Sequence, residues 1–260
     1  MRQPIHTISA IGLRLAALLG AVVLLVQPGA ALATPVTARG GTDSTAAIAA
    51  PSRAHGAKLA GIVAATQAWS KPGGGRLVWR VATQTLWSGE PQVLLVLGST
   101  SSAGRTWLRV LLPVRPDGTS AWIPRDNVTL LFTRYWIQVD KRARVVSLYH
   151  GGVLVRSFSA VIGKRGTPTP DGLAAIYERD RLANPNSFLG TWALPLTTLS
   201  NVLYNFGGGP GRVAIHGRGG ASLNDPLGSA RSHGCIRVAN SSVQWIAEHV
   251  PQGTPVLITG

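Results

Sequence analysis

A chain of 260 residues with 45% hydrophobic content is long enough to bury one or two cores. Its 31 glycines and 17 prolines exclude a fold built on long helices and point to short strands between turns. Lys and Arg outnumber Asp and Glu by 25 to 10, giving a formal net charge of +15, yet no run of five basic residues occurs, so a nucleic-acid-binding tail is not indicated.

The N-terminus reads as an export signal. Arg2, His6 and Arg14 precede an uncharged run, Leu15 to Val26, which Gln27-Pro28-Gly29 breaks. Ala31-Leu32-Ala33 then supplies a small-x-small cleavage pattern. Residues 1–33 are expected to be a signal peptide or an uncleaved N-terminal anchor. The apolar run is short for a membrane span of about 20 residues, and no cysteine stands near the cleavage site to carry a lipid. The expected location is the cell envelope, in periplasm or wall. There the positive charge suits anionic cell-wall polymers or lipid headgroups, not nucleic acid, and the membrane is met only through that possible anchor.

Residues 34–57 are rich in Ala, Thr, Gly, Ser and Pro without a period, and read as a flexible linker. From 58 to 131 the pattern changes to short β-type runs: 62–66, 77–81, 93–97 and 107–111, separated by Gly- and Pro-rich turns. Trp122-Ile123-Pro124 closes the unit. This stretch resembles a small bacterial SH3-like barrel. Its tryptophans, Trp69, Trp79, Trp87, Trp107 and Trp122, are either a ligand groove or half-buried packing.

A second unit is expected over 132–260. Strands at 145–149 and 153–158 flank His150-Gly151-Gly152, a hairpin signal. Thr167-Pro168-Thr169-Pro170-Asp171-Gly172 is a rigid loop. Residues 177–210 lack a sustained period and read as one long functional loop. In it Tyr177, Trp192, Tyr204 and Phe206 either grip a ligand or pack the loop down. Val213 to His216 is a short strand. Ser241 and Gln244 form a capping box for an amphipathic helix carrying Val243, Ile246, Ala247 and Val250. Residues 255–258 return as a strand.

The chemistry concentrates in Ser232-His233-Gly234-Cys235-Ile236-Arg237-Val238. Cys235 is the one cysteine of the sequence, so no internal disulfide is available to it. A free thiol is mostly protonated at neutral pH and needs a base to become a nucleophile. His233 stands at i−2 and can point away from the sulfur. His216, 19 residues upstream, ends a neighbouring strand and can face it. His216 is therefore the expected base. Gly234 permits a sharp turn in which the N–H groups of His233, Gly234 and Cys235 converge on a carbonyl oxygen. Ser232 is expected to fix that loop, and Arg237 to pair with a substrate carboxylate unless it is an ordinary strand arginine. An inert buried thiol and a zinc site on His216, His233 and Cys235 are the rival readings; neither a metal nor a cofactor is expected.

These segments together resemble the L,D-transpeptidase catalytic domain, the YkuD family, whose pattern is a histidine, a gap of roughly fifteen residues and then [Ser/Thr]-His-Gly-Cys. The resemblance covers residues 134–260. It implies a mainly β fold: the SH3-like barrel followed by a β-sandwich catalytic domain with few helices. It implies that Cys235 attacks a peptidoglycan stem peptide, that His216 is the base, and that a thioester is resolved by the amine of a second stem. In the family the residue after the histidine orients the imidazole; here Gly217 has only its carbonyl to offer. The Thr167–Gly172 loop resembles a family segment beside the cleft, and 177–210 the family's lid, with Tyr204 and Trp192 as substrate contacts. Where the family often has an acidic residue, this chain has Ser242. An L,D-carboxypeptidase, attachment of a protein or D-amino acid to the stem, and a wall-binding protein with a degenerate catalytic domain remain as alternatives.

Overall fold

Short strands joined by turns organise the chain, which the computed structural model describes over residues 47–260. The expected leader and the linker up to residue 46 lie outside the described residues. Strand makes up 50% and helix 8%, so the chain is mainly β. Among the described residues no helix is long and apolar enough to cross a membrane.

Seven antiparallel strands come first. They are β1 (Ala57–Ile62), β2 (Thr66–Lys71), β3 (Gly74–Val81), β4 (Val93–Ser102), β5 (Arg105–Leu111), β6 (Ser120–Pro124) and β7 (Val128–Thr133). Their order is β3-β2-β6-β5-β4-β1-β7. Leu94, Val96, Leu108, Val110 and Ile123 fill the core. Each such side chain contributes about 1.5–3 kcal/mol when buried.

Three expectations change here. The strand assigned to 62–66 lies earlier, over Ala57–Ile62, because Leu59, Ala60 and Ile62 are the buried residues and Val63 is exposed. The linker reading fails over 47–57: the Ile48 amide donates to Ser99 Oγ (2.8 Å), and Ser52 and Gly56 exchange backbone hydrogen bonds. β4 continues through the glycine-serine stretch expected as a turn, since Gly98 to Ser102 pair with β5.

The second region holds β8 (Tyr135–Asp140), β9 (Val145–His150), β10 (Val153–Ser159), β11 (Ile162–Gly163), β12 (Gly172–Ala175), β13 (Asp180–Arg181), β14 (Trp192–Leu199), β15 (Arg212–His216), β16 (Ala230–Ser232), β17 (Ile236–Arg237), helix α1 (Asn240–His249) and β18 (Pro255–Thr259). A five-stranded sheet runs β10-β9-β8-β18-β12 and a four-stranded one β13-β14-β15-β17; β11 and β16 form a short parallel pair. Ile137, Val139 and Leu148 of the first sheet share one core with Leu194, Leu196, Ile215 and Ile236 of the second and with Ile246 of α1.

The stretch 177–210 is not one loop. β14 passes through it with nearly every residue buried. A strand covered on both faces shows no period-2 alternation, which is why the sequence hid it. The capping box is also absent: α1 starts two residues earlier, with Ala239 and not Ser241 at the N-cap and no side-chain cap.

The two regions touch through Ala57, Leu59, Leu95 and Leu111 on one side and Ala175 on the other. Polar ties reinforce this contact. The Leu199 amide donates to Asp117 Oδ1 (2.9 Å), and Arg212 Nη2 donates to the Pro113 carbonyl (3.0 Å).

Candidate active site

Strand register assembles the site. β15 and β17 run parallel, with Ile215 opposite Ile236 and His216 opposite Arg237. One residue ahead of β17, Cys235 falls beside Ala214. Side chains two apart in a strand share a face, and in-register neighbours point the same way. His216 and Cys235 therefore stand on one face as diagonal neighbours, with Cα atoms about 8 Å apart by standard strand spacing. On β14, Ala193 pairs with His216, and on β13, Asp180 pairs with Ala193. Asp180, Ala193, His216 and Arg237 thus form one row across the sheet.

His216 is 1% exposed, and its Nδ1 lies 2.7 Å from the Gly217 carbonyl oxygen. A carbonyl only accepts, so Nδ1 carries the proton and Nε2 keeps its lone pair. Burial pushes the imidazole pKa down to about 4, against the Gly217 and Leu189 carbonyls, which hold it up; the Arg237 charge lowers it further. The ring is neutral and basic at Nε2 at neutral pH. Phe188 covers this arrangement: its ring centroid lies 6.3 Å from that of His216, and the Arg237 guanidinium stands 4.7 Å above it.

Burial pushes the Cys235 thiol up, while the Ala214 backbone and the Arg237 charge pull it back. The resting pair is thus thiol and imidazole, not thiolate and imidazolium. Sγ points to the Arg212 carbonyl at 4.0 Å, and among the described residues no hydrogen bond joins it to His216.

The loop before the thiol is tightly held. Ser232 Oγ donates to the Cys235 carbonyl (2.6 Å) and accepts from the Gly234 amide (3.1 Å). That second bond engages one of the three amides expected to converge on an oxyanion. The amides of His233 and Cys235 make no hydrogen bond among the described residues. Gly234 has φ of 121°, in the region that favours glycine. The Thr-Pro loop braces it from outside: Thr169 Oγ1 donates to the Gly234 carbonyl (2.8 Å) and Thr167 Oγ1 to that of Ser232 (3.2 Å).

Asn240, which the sequence did not single out, holds the other half. Its Oδ1 accepts from the Arg218 amide (2.8 Å), and its Nδ2 donates to the Arg218 carbonyl (2.9 Å). Its carboxamide packs so closely on Gly217 that a Cβ there would collide with Oδ1. Asn240 thus fixes the peptide whose carbonyl holds the His216 proton.

A cleft of about 820 Å³ opens at Cys235. Ala193, Ala214, Trp192, Phe188 and Phe206 line it, with Asp180 and Arg212. Trp87, Ser88 and Glu90 of the first region line it too. Their loop is anchored by Glu178, a fully buried carboxylate whose Oε1 accepts from the amides of Trp87 (2.8 Å) and Ser88 (2.5 Å) and from Ser88 Oγ (2.9 Å). Asp180 is pushed up to about 7, first by burial and then by the charges of Glu178 and Glu90.

Three expected ligand contacts lie elsewhere. Arg237 is 2% exposed, and its Nη1 is engaged by Asp225 Oδ2 at 2.5 Å, because its strand position points it under Phe188. Tyr204 is exposed but sits beneath Arg115, outside the cleft lining. Tyr177 is buried against Trp87 and Arg212. His233 is exposed beside Phe206, with ring centroids 5.6 Å apart. Among the described residues no three His, Cys, Asp or Glu side chains come together as a metal-holding group.

Residues 134–258 match the family model of the YkuD L,D-transpeptidase catalytic domain. YkuD of Bacillus licheniformis is 34% identical over 173 residues, covering 63% of this chain and 93% of that protein. The chain belongs to the YkuD L,D-transpeptidase family. YkuD of Bacillus subtilis is 29% identical over 182 residues, covering 69% of this chain and 88% of that protein. A solved L,D-transpeptidase from Mycobacterium smegmatis is 16% identical and covers 64% of this chain and 99% of its own, with a TM-score of 0.40; the family assignment rests on the sequence matches. Members of this family act on peptidoglycan peptide stems and are typically found in the cell envelope.

Proposed function

We propose that this protein is a peptidoglycan L,D-transpeptidase that links peptide stems through a thioester on Cys235. The observation that carries this reading is the pairing of β15 with β17: it sets Cys235 and His216 on one face, with the Gly217 carbonyl holding the proton on Nδ1. His216 Nε2 takes the thiol proton as sulfur attacks the carbonyl of the third stem residue. The carbonyl oxygen develops charge toward the amides of His233 and Cys235. The imidazolium then returns its proton to the leaving D-Ala nitrogen. A stem amine attacks the thioester, the C–N bond forms as the C–S bond breaks, and the thiol is restored. One amide is exchanged for another, so no energy source is needed.

Trp192, with Phe188 and Phe206, forms the apolar lining for the stem. Arg237 acts from beneath as a fixed charge. The proposal extends to the first region, residues 58–131, as an SH3-like wall-facing module, to the positive charge as attraction to anionic wall polymers, and to residues 1–33 as the export signal. Incubation with a carbapenem tests the thioester: the intact protein gains the drug's mass, and Cys235→Ala does not. A variant that still gained it would remove Cys235 from the mechanism. Muropeptide products separate transfer from hydrolysis, since dimers mark the former and tripeptide monomers the latter.

A further inference from the structure

The flank of the thiol loop carries cations without counter-charges. Through β16 and the thiol loop, Arg231, His233 and Cys235 stand at alternate positions and are exposed or half-buried, while Ser232 and Gly234 between them are buried. Arg231 and His233 are thus exposed within four residues of the sulfur along the chain. β11 runs beside this strand, with Gly163 opposite Ser232, and the Lys164 amide donates to the Ser232 carbonyl (3.0 Å). This pairing sets Lys164 and Arg165, both exposed, next to Arg231 and His233. At the other end Arg144 Nη1 donates to the Gly228 carbonyl (3.3 Å), and Gly228 in turn bonds Ala160. Arg142 lies in the same β8–β9 turn, exposed.

None of Arg142, Arg144, Lys164, Arg165 and Arg231 makes an ion pair among the described residues. Their carboxylate neighbours are engaged elsewhere: Asp140 by the Ala143 amide, Asp171 by Lys141, and Asp225 by Arg237. Segments 141–144, 160–168 and 228–234 contain no acidic residue. Five exposed like charges on one flank repel one another, a cost that an anionic partner relieves.

We infer that Arg142, Arg144, Lys164, Arg165 and Arg231 form a docking track for the carboxylates of peptidoglycan stems neighbouring the stem that reacts at Cys235. The continuity of the track with the thiol loop favours the polymer that carries the substrate over a separate anionic polymer. The identity of that polymer rests on the proposed function; the binding surface does not.

The test uses the full chain and a triple variant, Lys164→Gln, Arg165→Gln, Arg231→Gln. Binding to insoluble sacculi is measured at low and high salt, with and without acid stripping of phosphodiester polymers. The variant is expected to bind stripped sacculi about tenfold more weakly at low salt, and high salt is expected to bring the wild type down to the same level. Turnover on sacculi falls in step. Acylation by a carbapenem stays within about twofold, because surface charges outside the cleft act on the distant polymer and not on the reacting atoms. A second variant, Arg142→Gln with Lys164→Gln, gives a smaller loss in the same direction and covers a misfolded triple variant. Equal sacculus binding by wild type and both variants overturns the track. Loss of wild-type binding on stripping the phosphodiesters overturns the carboxylate assignment. Failure of the wild type to be acylated would sink the proposed reaction while leaving the binding comparison readable.

Discussion

The cleft is built by two regions in different ways. On the Cys235 side, position is set by strand register: β14, β15 and β17 hold Ala193, His216 and Arg237 in one row, all three buried, with Cys235 half-buried beside them. On the side of the first region, Trp87 and Ser88 stand on a loop between β3 and β4, and one carboxylate, Glu178, holds that loop through three hydrogen bonds. Trp87 itself is 48% exposed. Register cannot slip by one residue without reversing every side chain. A loop on a carboxylate can be reshaped by a few substitutions. In the proposed reaction, chemistry rests on the first kind of support and recognition on the second.

That contrast is sharpest at His216. Replacement by Gln should lower the acylation rate about 10²–10⁴-fold, with the protein still folded, read by single-turnover mass spectrometry. A loss below tenfold would mean that the base lies elsewhere. In the wild type the sign of the pH effect follows from the depressed imidazole. The ring is neutral above its folded value, so the rate holds down to about pH 4 and falls as pH drops through it.

Glu178→Ala tests the loop side. It removes a fully buried acceptor from two amides and a hydroxyl, and the protein should lose about 2–4 kcal/mol, measured by denaturant midpoint at constant slope. If stability were unchanged, the anchoring contact would not hold the two regions together. Trp87→Ala should be milder. Turnover of a full stem should show KM raised about threefold to tenfold with kcat nearly unchanged, as expected when binding common to ground and transition states is removed. An equal fall in kcat would place the ring in the chemistry.

A pH dependence at Asp180 leaves the proposed reaction itself untouched. Its value in the folded state, about 7, lies above the ordinary 3.8, so the folded protein holds this proton more tightly. The stabilising contribution is complete below about pH 4 and disappears as pH rises through about 7. Against Asp180→Asn, the wild type should lose melting temperature progressively over that window. A constant difference would contradict the burial of this carboxylate.

The residues of the proposed chemistry were legible in the sequence by type. A lone cysteine in Ser-His-Gly-Cys and a histidine closing a strand needed no coordinates. The mainly β fold followed from turn residues and short apolar runs. What escaped depended on three dimensions. β14 is covered on both faces and shows no alternation. Asn240 reads as a helix-start residue, yet its amide serves another segment. Arg237 has the right type and spacing for a carboxylate partner, but its strand direction sends it beneath Phe188 to Asp225. Trp87 was one tryptophan among five, and only the Glu178 anchor distinguishes it.

The carboxamide of Asn240, seated on Gly217, makes positions 217 and 240 a single unit of variation. A residue with a hydroxyl at 217, able to orient the imidazole by its own side chain, fits only if 240 shrinks, and that surrenders both bonds to Arg218. Redesign of the base must therefore begin at the helix start, and a double-mutant cycle across the two sites should be strongly non-additive.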